Sequence, residues 1–221
     1  DSTLRVSKKN GVTAMAIDDV DILPFAARSV KADHDAGYLV AIVSNQGGVG
    51  SGKTKYEVAE GGLRTTAEKL GQLGAKVDYF DFAENDDEFR KPEVGMATRL
   101  SGFVEAKCGR GIDIAQSKMV GDSAYKEGED GPSPDGRKAD DFSNADRLFA
   151  ENLGVPFQEP TDAYGWRDYG VYNVLGEKQL LPFLEKIEER AASLRAKGEI
   201  EDADALDEEV AANRKVNNLK N

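Results

Sequence analysis

The chain has 221 residues, 39% of them hydrophobic, and carries a formal net charge of −12. This length allows one domain with a sizeable core, or one domain with an appendage. The acidic balance argues against general affinity for polyanions, so a nucleic acid would have to be contacted through a local basic patch. No apolar run approaches the roughly 20 residues that span a bilayer. The only cysteine, Cys108, excludes an internal disulfide and a multi-cysteine zinc site.

Short apolar runs alternate with segments of helical periodicity over the first 160 residues. Strands are predicted at residues 12–17, 38–43, 76–83, 118–120 and 155–157. Helices are predicted at residues 24–35, 57–73, 93–103 and 145–153, with a polar Gly/Pro/Asp turn region at 127–136. This alternation is typical of an α/β fold in which a parallel sheet carries helices on both faces.

The composition changes at about residue 181, where the chain becomes rich in Ala, Glu, Lys and Arg. With Gly198 in its middle, this region is predicted to form two helices in a hairpin. We therefore divide the chain into a first domain at residues 1–180 and a C-terminal helical hairpin at 181–221. The hairpin is interpreted as a solvated appendage, and binding of a protein partner is the alternative.

A glycine-rich segment, Gly47–Thr54, matches the P-loop pattern G-x-x-x-x-G-K-[ST] without a mismatch. A P-loop would make the protein a kinase or a nucleotide hydrolase. However, a P-loop requires a helix that begins at its lysine, and the segment after Lys53 is polar and carries Gly61 and Gly62. Its strand is also usually the first in the domain, whereas another predicted strand comes earlier here.

A second interpretation uses the polar residues that follow the predicted strands. Ser44 is a hydroxyl at a strand end followed by backbone N–H groups, which is a good phosphate clamp. Asp18 and Asp122 each follow a short apolar run, and Lys91 stands where a helix begins. An aspartate nucleophile, a serine clamp, a charge-neutralising lysine and a metal-binding aspartate together indicate a phosphatase that works through an aspartyl-phosphate.

The order Asp18, Ser44-Asn45, Lys91, Gly121-Asp122 resembles the four motifs of the haloacid dehalogenase (HAD) superfamily. Within it, the chain resembles the polynucleotide 3′-phosphatase family over about residues 12–160. The matching stretches are "GYLVAIVSNQGGVGSGK", "FRKPEVGM", "VGDSA" and "GRKADDFSNADRLFAENLGVPF". In that family the loop after the serine motif is glycine-rich, so the resemblance implies that the P-loop-like segment is the turn that follows Ser44.

The resemblance implies a HAD-like (Rossmannoid) α/β fold and an Mg²⁺-dependent hydrolase that removes 3′-phosphates from DNA ends during strand-break repair. It implies that the enzyme is intracellular, in the nucleus of a eukaryote or otherwise in the cytoplasm, with DNA as its partner and no membrane association. The implied roles are: nucleophile, Asp18; phosphate binding, Ser44, Asn45 and Lys91, with Lys91 also catalytic; metal binding, Asp18 and Asp122; supporting contacts, Arg90, Asp141 and Asp146.

The first motif departs from the family pattern D-x-D-G-T, which a long flap follows. Only 26 positions separate Asp18 from Ser44, which leaves no room for that flap. One explanation is that the flap is missing from the sequence between Asp18 and Asp19. The other is a shortened D-x-D, in which Asp19 attacks and Asp21 is the general acid/base. We favour the first explanation, which leaves the acid/base unidentified.

Three other functions fit parts of the sequence. A small-molecule HAD phosphatase, of the histidinol-phosphate or sugar-phosphate type, would use the same chemistry. Such relatives often carry a Cys/His zinc loop, which one cysteine and one histidine cannot build. A P-loop kinase is the second alternative. The third is a binding protein that has kept the fold and lost the D-x-D chemistry.

Overall fold

Strands and helices alternate in a computed structural model that describes residues 1–9, 11, 14–125, 143–172, 174 and 176–219. Its strands are β1 (Arg5–Val6), β2 (Asp21–Ile22), β3 (Ala41–Asn45), β4 (Tyr79–Ala83), β5 (Met119–Val120) and β6 (Phe157–Gln158). Its helices are α1 (Ala26–Asp35), α2 (Tyr56–Gln72), α3 (Gly95–Cys108), α4 (Ala145–Leu153), α5 (Pro160–Ala163), α6 (Glu177–Ala196) and α7 (Ile200–Asn217). The predicted α/β class is confirmed. In this described part, no helix is both long and apolar enough to cross a membrane.

The parallel strands occur as two pairs. β3 runs parallel to β4, with Ser44 opposite Phe82, and β5 runs parallel to β6. β1 and β2 form a separate antiparallel pair in which Arg5 lies opposite Ile22. Parallel strands present their carboxyl ends on one edge, which is where Ser44 and the residues after β5 emerge.

The predicted strand at residues 12–17 is wrong for Ala14–Ile17, and Val12 and Thr13 lie outside the described residues. This segment is a loop whose last turn is closed by a hydrogen bond from the N–H of Asp19 to the carbonyl of Ala16. Its apolar side chains serve other contacts: Ile17 packs over Gly61 of α2, where an added Cβ would lie 2.8 Å from it. An apolar run alone does not distinguish a strand from a loop that packs on a helix.

The predicted C-terminal helices are present as α6 and α7, and the turn between them uses Gly198 at φ 84°. Their inner faces are buried: Phe183 and Ile187 pack in one cluster with Val6 and Trp166 of the preceding region. The hairpin is therefore solvated only on its outer face. The division of the chain at residue 180 stays a prediction.

Candidate active site

Asp122 follows β5 and is joined to the first residues of the chain. The hydroxyl of Thr3 donates to Oδ1 of Asp122 over 2.7 Å. Burial raises the pKa of the Asp122 carboxyl and the negative charge of Asp146 adds to this, whereas the hydrogen bond from Thr3 and the charge of Lys91 oppose it. A partly buried carboxylate that lacks enough positive charge around it is a suitable ligand for a cation.

Lys91 reaches the same place from the loop before α3. Its Nζ lies 2.6 Å from Oδ1 of Asp146 and 2.9 Å from the carbonyl oxygen of Val43, the residue before Ser44. Lys91 is 8% exposed, and Asp146 is 5% exposed. A buried ammonium fixed between a strand end and a carboxylate is well placed to offset the charge of a phosphate.

Asp146 stands in the first turn of α4 and is fixed by the loop after β5. Its Oδ2 accepts the N–H of Ser123 over 3.1 Å, and its own N–H donates to the carbonyl of Ser123 over 3.1 Å. Gly121 permits this approach, because an added Cβ there would lie 2.5 Å from Oδ2 of Asp146. The segment that carries Asp122 is thus tied to α4.

Asn45 and Ser44, at the end of β3, make different contacts. The side chain of Asn45 accepts the N–H of Lys91 and donates to its carbonyl, both over 2.9 Å. The Asn45 side chain is therefore committed to the main chain of Lys91, and the phosphate contact of Asn45 stays a prediction for its backbone N–H. Ser44 is buried, and its Oγ accepts a hydrogen bond from Gln46 Nε2 over 2.8 Å, which leaves the Ser44 proton free to be donated to a ligand.

The first three residues of the chain also lie at this candidate site, and our sequence reasoning missed them. Ser2 has a left-handed φ of 55°, and its N–H donates to the carbonyl of Arg5 over 2.7 Å, so the chain turns tightly here. The carboxylate of Asp1 accepts the Nε–H of Arg5 over 2.9 Å. The main-chain nitrogen of Asp1 is buried, and its charged neighbours are Arg5, Asp122, Lys91 and Asp146. The signal was in the sequence: Asp1-Ser2-Thr3 matches the second half of D-x-D-G-T, with serine in place of glycine.

The aspartates proposed for the first motif lie elsewhere, which corrects that prediction. Asp18 is exposed in the turn before β2. Asp19 is buried by the loop itself, where it accepts hydrogen bonds from the Ser7 hydroxyl and the N–H of Met15. In the described part of the chain, neither makes a hydrogen bond or an ion pair with Ser44 or Asp122.

Asp21 lies in β2 and is fully buried, with Nζ of Lys69 3.5 Å from its Oδ1. It too makes no hydrogen bond or ion pair to Ser44, Lys91 or Asp122 among the residues that the structure describes. Residues 14–17 were expected to form a strand of the parallel sheet, but long-range contacts place them in a loop. The antiparallel pair β1–β2 turns this loop back over α2. Residues 18–21 therefore do not follow a sheet strand.

The glycine-rich loop does not have the geometry of a P-loop. The N–H groups of residues 49–54 all donate to main-chain carbonyls of the protein, so they do not form a phosphate cradle. α2 begins only at Tyr56, and Lys53 is exposed. Arg90 lies against this loop, because an added Cβ on Gly47 would be 2.7 Å from its Nη1. Asp141 lies outside the described residues.

The fold and the site define a phosphatase of the HAD superfamily. The crystal structure of D,D-heptose 1.7-bisphosphate phosphatase from B. bronchiseptica complexed with magnesium and phosphate has the same fold, with a TM-score of 0.52 at 15% identity over 81% of this chain and 89% of that one. Residues 1–164 match the family described as "Polynucleotide kinase 3 phosphatase", and the chain belongs to this family.

Three curated proteins are similar to this chain. An uncharacterized 20.8 kDa protein of Autographa californica nuclear polyhedrosis virus is 34% identical over 72% of this chain and 79% of its own length. The bifunctional polynucleotide phosphatase/kinase of Schizosaccharomyces pombe is 29% identical over 62% of this chain, but this match spans only 29% of the yeast protein. A probable D-glycero-D-manno-heptose-1,7-bisphosphate 7-phosphatase of Thermoplasma acidophilum is 28% identical over 64% of this chain and 76% of its own length.

Proposed function

We propose that the protein is an Mg²⁺-dependent polynucleotide 3′-phosphatase that removes the 3′-phosphate from DNA ends, as strand-break repair requires. The observation that carries this proposal is the meeting of Asp1, Lys91, Asp122 and Asp146 beside Ser44, in a chain whose family includes polynucleotide phosphatases. Arg90, whose Nε also lies 3.5 Å from Oδ1 of Asp86, and the exposed Lys53 flank the loop after Ser44, where they are cations available to a nucleic-acid phosphate.

We assign Asp1 as the general acid/base. Asp1-Ser2-Thr3 matches the D-G-T part of D-x-D-G-T, in which the aspartate is the general acid/base. The bond from Thr3 to Asp122 supports this register, because it joins the first motif to the last one. This assignment fills the acid/base role that the favoured explanation of the first motif left unidentified, and it leaves the attacking carboxylate unassigned.

The residues present fit a magnesium ion. Mg²⁺ is commonly held by one or two carboxylates together with water and substrate phosphate. Asp122, after β5, and Asp146, in the first turn of α4, would supply two carboxylates. The described residues contain no cluster of three or more metal-binding side chains, so phosphate and water would complete the coordination. When bound, Mg²⁺ polarises the phosphoryl group and offsets its charge.

The side chains at the site would then have separate roles in the reaction. Ser44 donates its hydroxyl proton to a non-bridging phosphate oxygen, and the ammonium of Lys91 neutralises another. The attacking carboxylate forms a bond to phosphorus as the P–O bond to the sugar breaks, and Asp1 gives its proton to the leaving 3′-oxygen. Asp1, now ionised, takes a proton from the water that hydrolyses the aspartyl-phosphate, which releases inorganic phosphate.

A small-molecule phosphatase is the second candidate, favoured by the relative from Thermoplasma acidophilum, whose name specifies a heptose bisphosphate. It would use the same site. A comparison of substrates tests both proposals: release of phosphate from a 3′-phosphorylated oligonucleotide, from heptose 1,7-bisphosphate and from histidinol phosphate, each with and without Mg²⁺. We expect the oligonucleotide to have the highest kcat/KM and to require Mg²⁺. A sugar phosphate turned over faster than the oligonucleotide would overturn the polynucleotide assignment.

A further inference from the structure

Arg5 is a buried cation that has no role in the reaction proposed above. It is 3% exposed, and it follows the site turn at the start of β1. Burial lowers the pKa of Arg5 to about 10, and the nearby charge of Asp19 opposes this effect. The side chain therefore stays charged at neutral pH. Burying a charged guanidinium is unfavourable in free energy unless its N–H donors form hydrogen bonds. The hydrogen-bond partners of Arg5 therefore indicate its role.

The contacts of Arg5 connect Asp1 to helix α2. Nε donates to Oδ1 of Asp1 over 2.9 Å, and Nη1 donates to Oγ1 of Thr66 over 2.9 Å. Thr66 in turn donates its proton to the carbonyl of Gly62 over 2.8 Å, so its Oγ1 presents a lone pair to Arg5. Gly62 makes room for the guanidinium, because an added Cβ there would lie 3.1 Å from Nη1. A planar guanidinium held at two donors has a fixed orientation.

We propose that Arg5 is a positioning residue that selects which oxygen of Asp1 exchanges the proton in the reaction. Because Oδ1 is engaged by Nε of Arg5, Oδ2 is the oxygen that carries the proton. Among the described residues Oδ2 has no hydrogen-bond partner. This inference rests on the proposed acid/base role of Asp1. In the step concerned, the Oδ2–H bond breaks as the proton passes to the leaving oxygen, whose bond to phosphorus breaks at the same time.

The leaving group makes the proposal testable. A 3′-hydroxyl leaves as a strongly basic alkoxide and needs the proton of Asp1, whereas p-nitrophenolate leaves without one. Since kcat/KM reports the steps up to departure of the leaving group, it isolates this proton transfer. A purely structural role of Arg5 would lower kcat/KM for both substrates alike, but a positioning role lowers it for the oligonucleotide alone.

The experiment compares R5M and R5K with the parent on a 3′-phosphorylated oligonucleotide and on p-nitrophenyl phosphate. We expect R5M to lower kcat/KM for the oligonucleotide by about 30- to 100-fold and for the aryl phosphate by less than about threefold. R5K should recover part of the lost kcat/KM, because lysine keeps the positive charge but lacks the planar guanidinium with its two donors. R64M, which removes an exposed arginine of the same helix that Arg5 contacts, is the matched control and should resemble the parent.

A parallel loss on both substrates in R5M, or no loss on either, would overturn the proposal. If R5M does not fold, T66V decides, because it removes the second anchor of Arg5 and leaves Arg5 itself in place. A selective loss of several-fold on the oligonucleotide supports the proposal, and any other pattern refutes it.

D1N separates this inference from the proposed function. If D1N keeps the activity of the parent on the oligonucleotide, the acid/base assignment of Asp1 is wrong. If D1N loses activity on the oligonucleotide selectively but R5M behaves like the parent, only the proposed role of Arg5 is wrong.

Discussion

Nζ of Lys91 and Oδ1 of Asp146 form a 2.6 Å ion pair in which both side chains are less than a tenth exposed. The two residues come from the loop before α3 and from the first turn of α4. They bring the strand ends of β3 and β5 to one place. A ligand phosphate there would meet an ammonium already held in position, so binding would require little reorganisation.

The Lys91 side chain should be essential for turnover. K91M should lower kcat/KM for the 3′-phosphorylated oligonucleotide by about 10²- to 10³-fold, because it removes the buried positive charge and leaves Asp146 unpaired. K53M, which removes an exposed lysine of the glycine-rich loop, should stay within a few-fold of the parent. The measurement is steady-state phosphate release, and the reverse ranking would restore the P-loop interpretation.

Gly121 should not tolerate a side chain. In G121A the new Cβ would lie 2.5 Å from Oδ2 and 2.7 Å from Cβ of Asp146, so α4 or the site loop must move. We expect the free energy of unfolding to fall by roughly 1–3 kcal/mol, with a loss of activity. G102A is the control, because Gly102 lies inside α3 with open space around it. It should stabilise the protein by about 0.5–1 kcal/mol, as measured by urea unfolding.

Asp18 should be dispensable. D18N changes an exposed side chain in the turn before β2, so kcat/KM should stay within about twofold of the parent. D122N, tested in parallel, should abolish most activity and should weaken activation by Mg²⁺. An Mg²⁺ titration of the rate measures both effects. A D18N enzyme as inactive as D122N would contradict the site described above.

The C-terminal hairpin should contribute to the stability of the phosphatase fold. Asn217 accepts the N–H of Ile22 over 2.8 Å and donates to its carbonyl over 2.9 Å, so it satisfies the backbone of β2. N217A should lower the free energy of unfolding by roughly 1–3 kcal/mol, because buried backbone groups lose their partner. E208A, at an exposed position of α7, should change it by less than about 0.5 kcal/mol. Equal effects would mean that the hairpin is an independent appendage.

Asp78 should make stability depend on acid pH. Burial alone would raise its pKa, but hydrogen bonds from Lys107, Lys76 and the N–H of Val40 lower it to about 2. A carboxyl whose pKa is depressed in the folded state stabilises the fold above the unfolded value of about 4 and loses this contribution as the pH falls towards 2. D78N should therefore cost roughly 1–2 kcal/mol at pH 7.

Urea unfolding of D78N and the parent between pH 7 and pH 3 provides the measurement. The difference between the two proteins should stay constant down to about pH 4 and should then narrow. A difference that does not change with pH would mean that the hydrogen bonds of Asp78, rather than its charge, stabilise this corner of the fold.

Local features were predictable because they depend on neighbours along the chain. The helix at residues 145–153 was predicted with the observed bounds, because its apolar spacing and the closing Gly154 are local signals. The positions of Ser44 and Asp122, at or just after the end of a strand, were predictable for the same reason. Each follows a short apolar run that ends at a polar residue.

Tertiary contacts decided the rest. Thr3 and Asp122 are 119 positions apart and share a 2.7 Å hydrogen bond, so the contact itself could not be predicted from neighbours along the chain, although the motif match of residues 1–3 is local. The amide of Asn45 resembles a phosphate ligand in sequence, but the fold commits it to the main chain of Lys91. Periodicity fixes which face of an element is apolar. Only packing decides which distant polar groups that face brings into hydrogen-bond range.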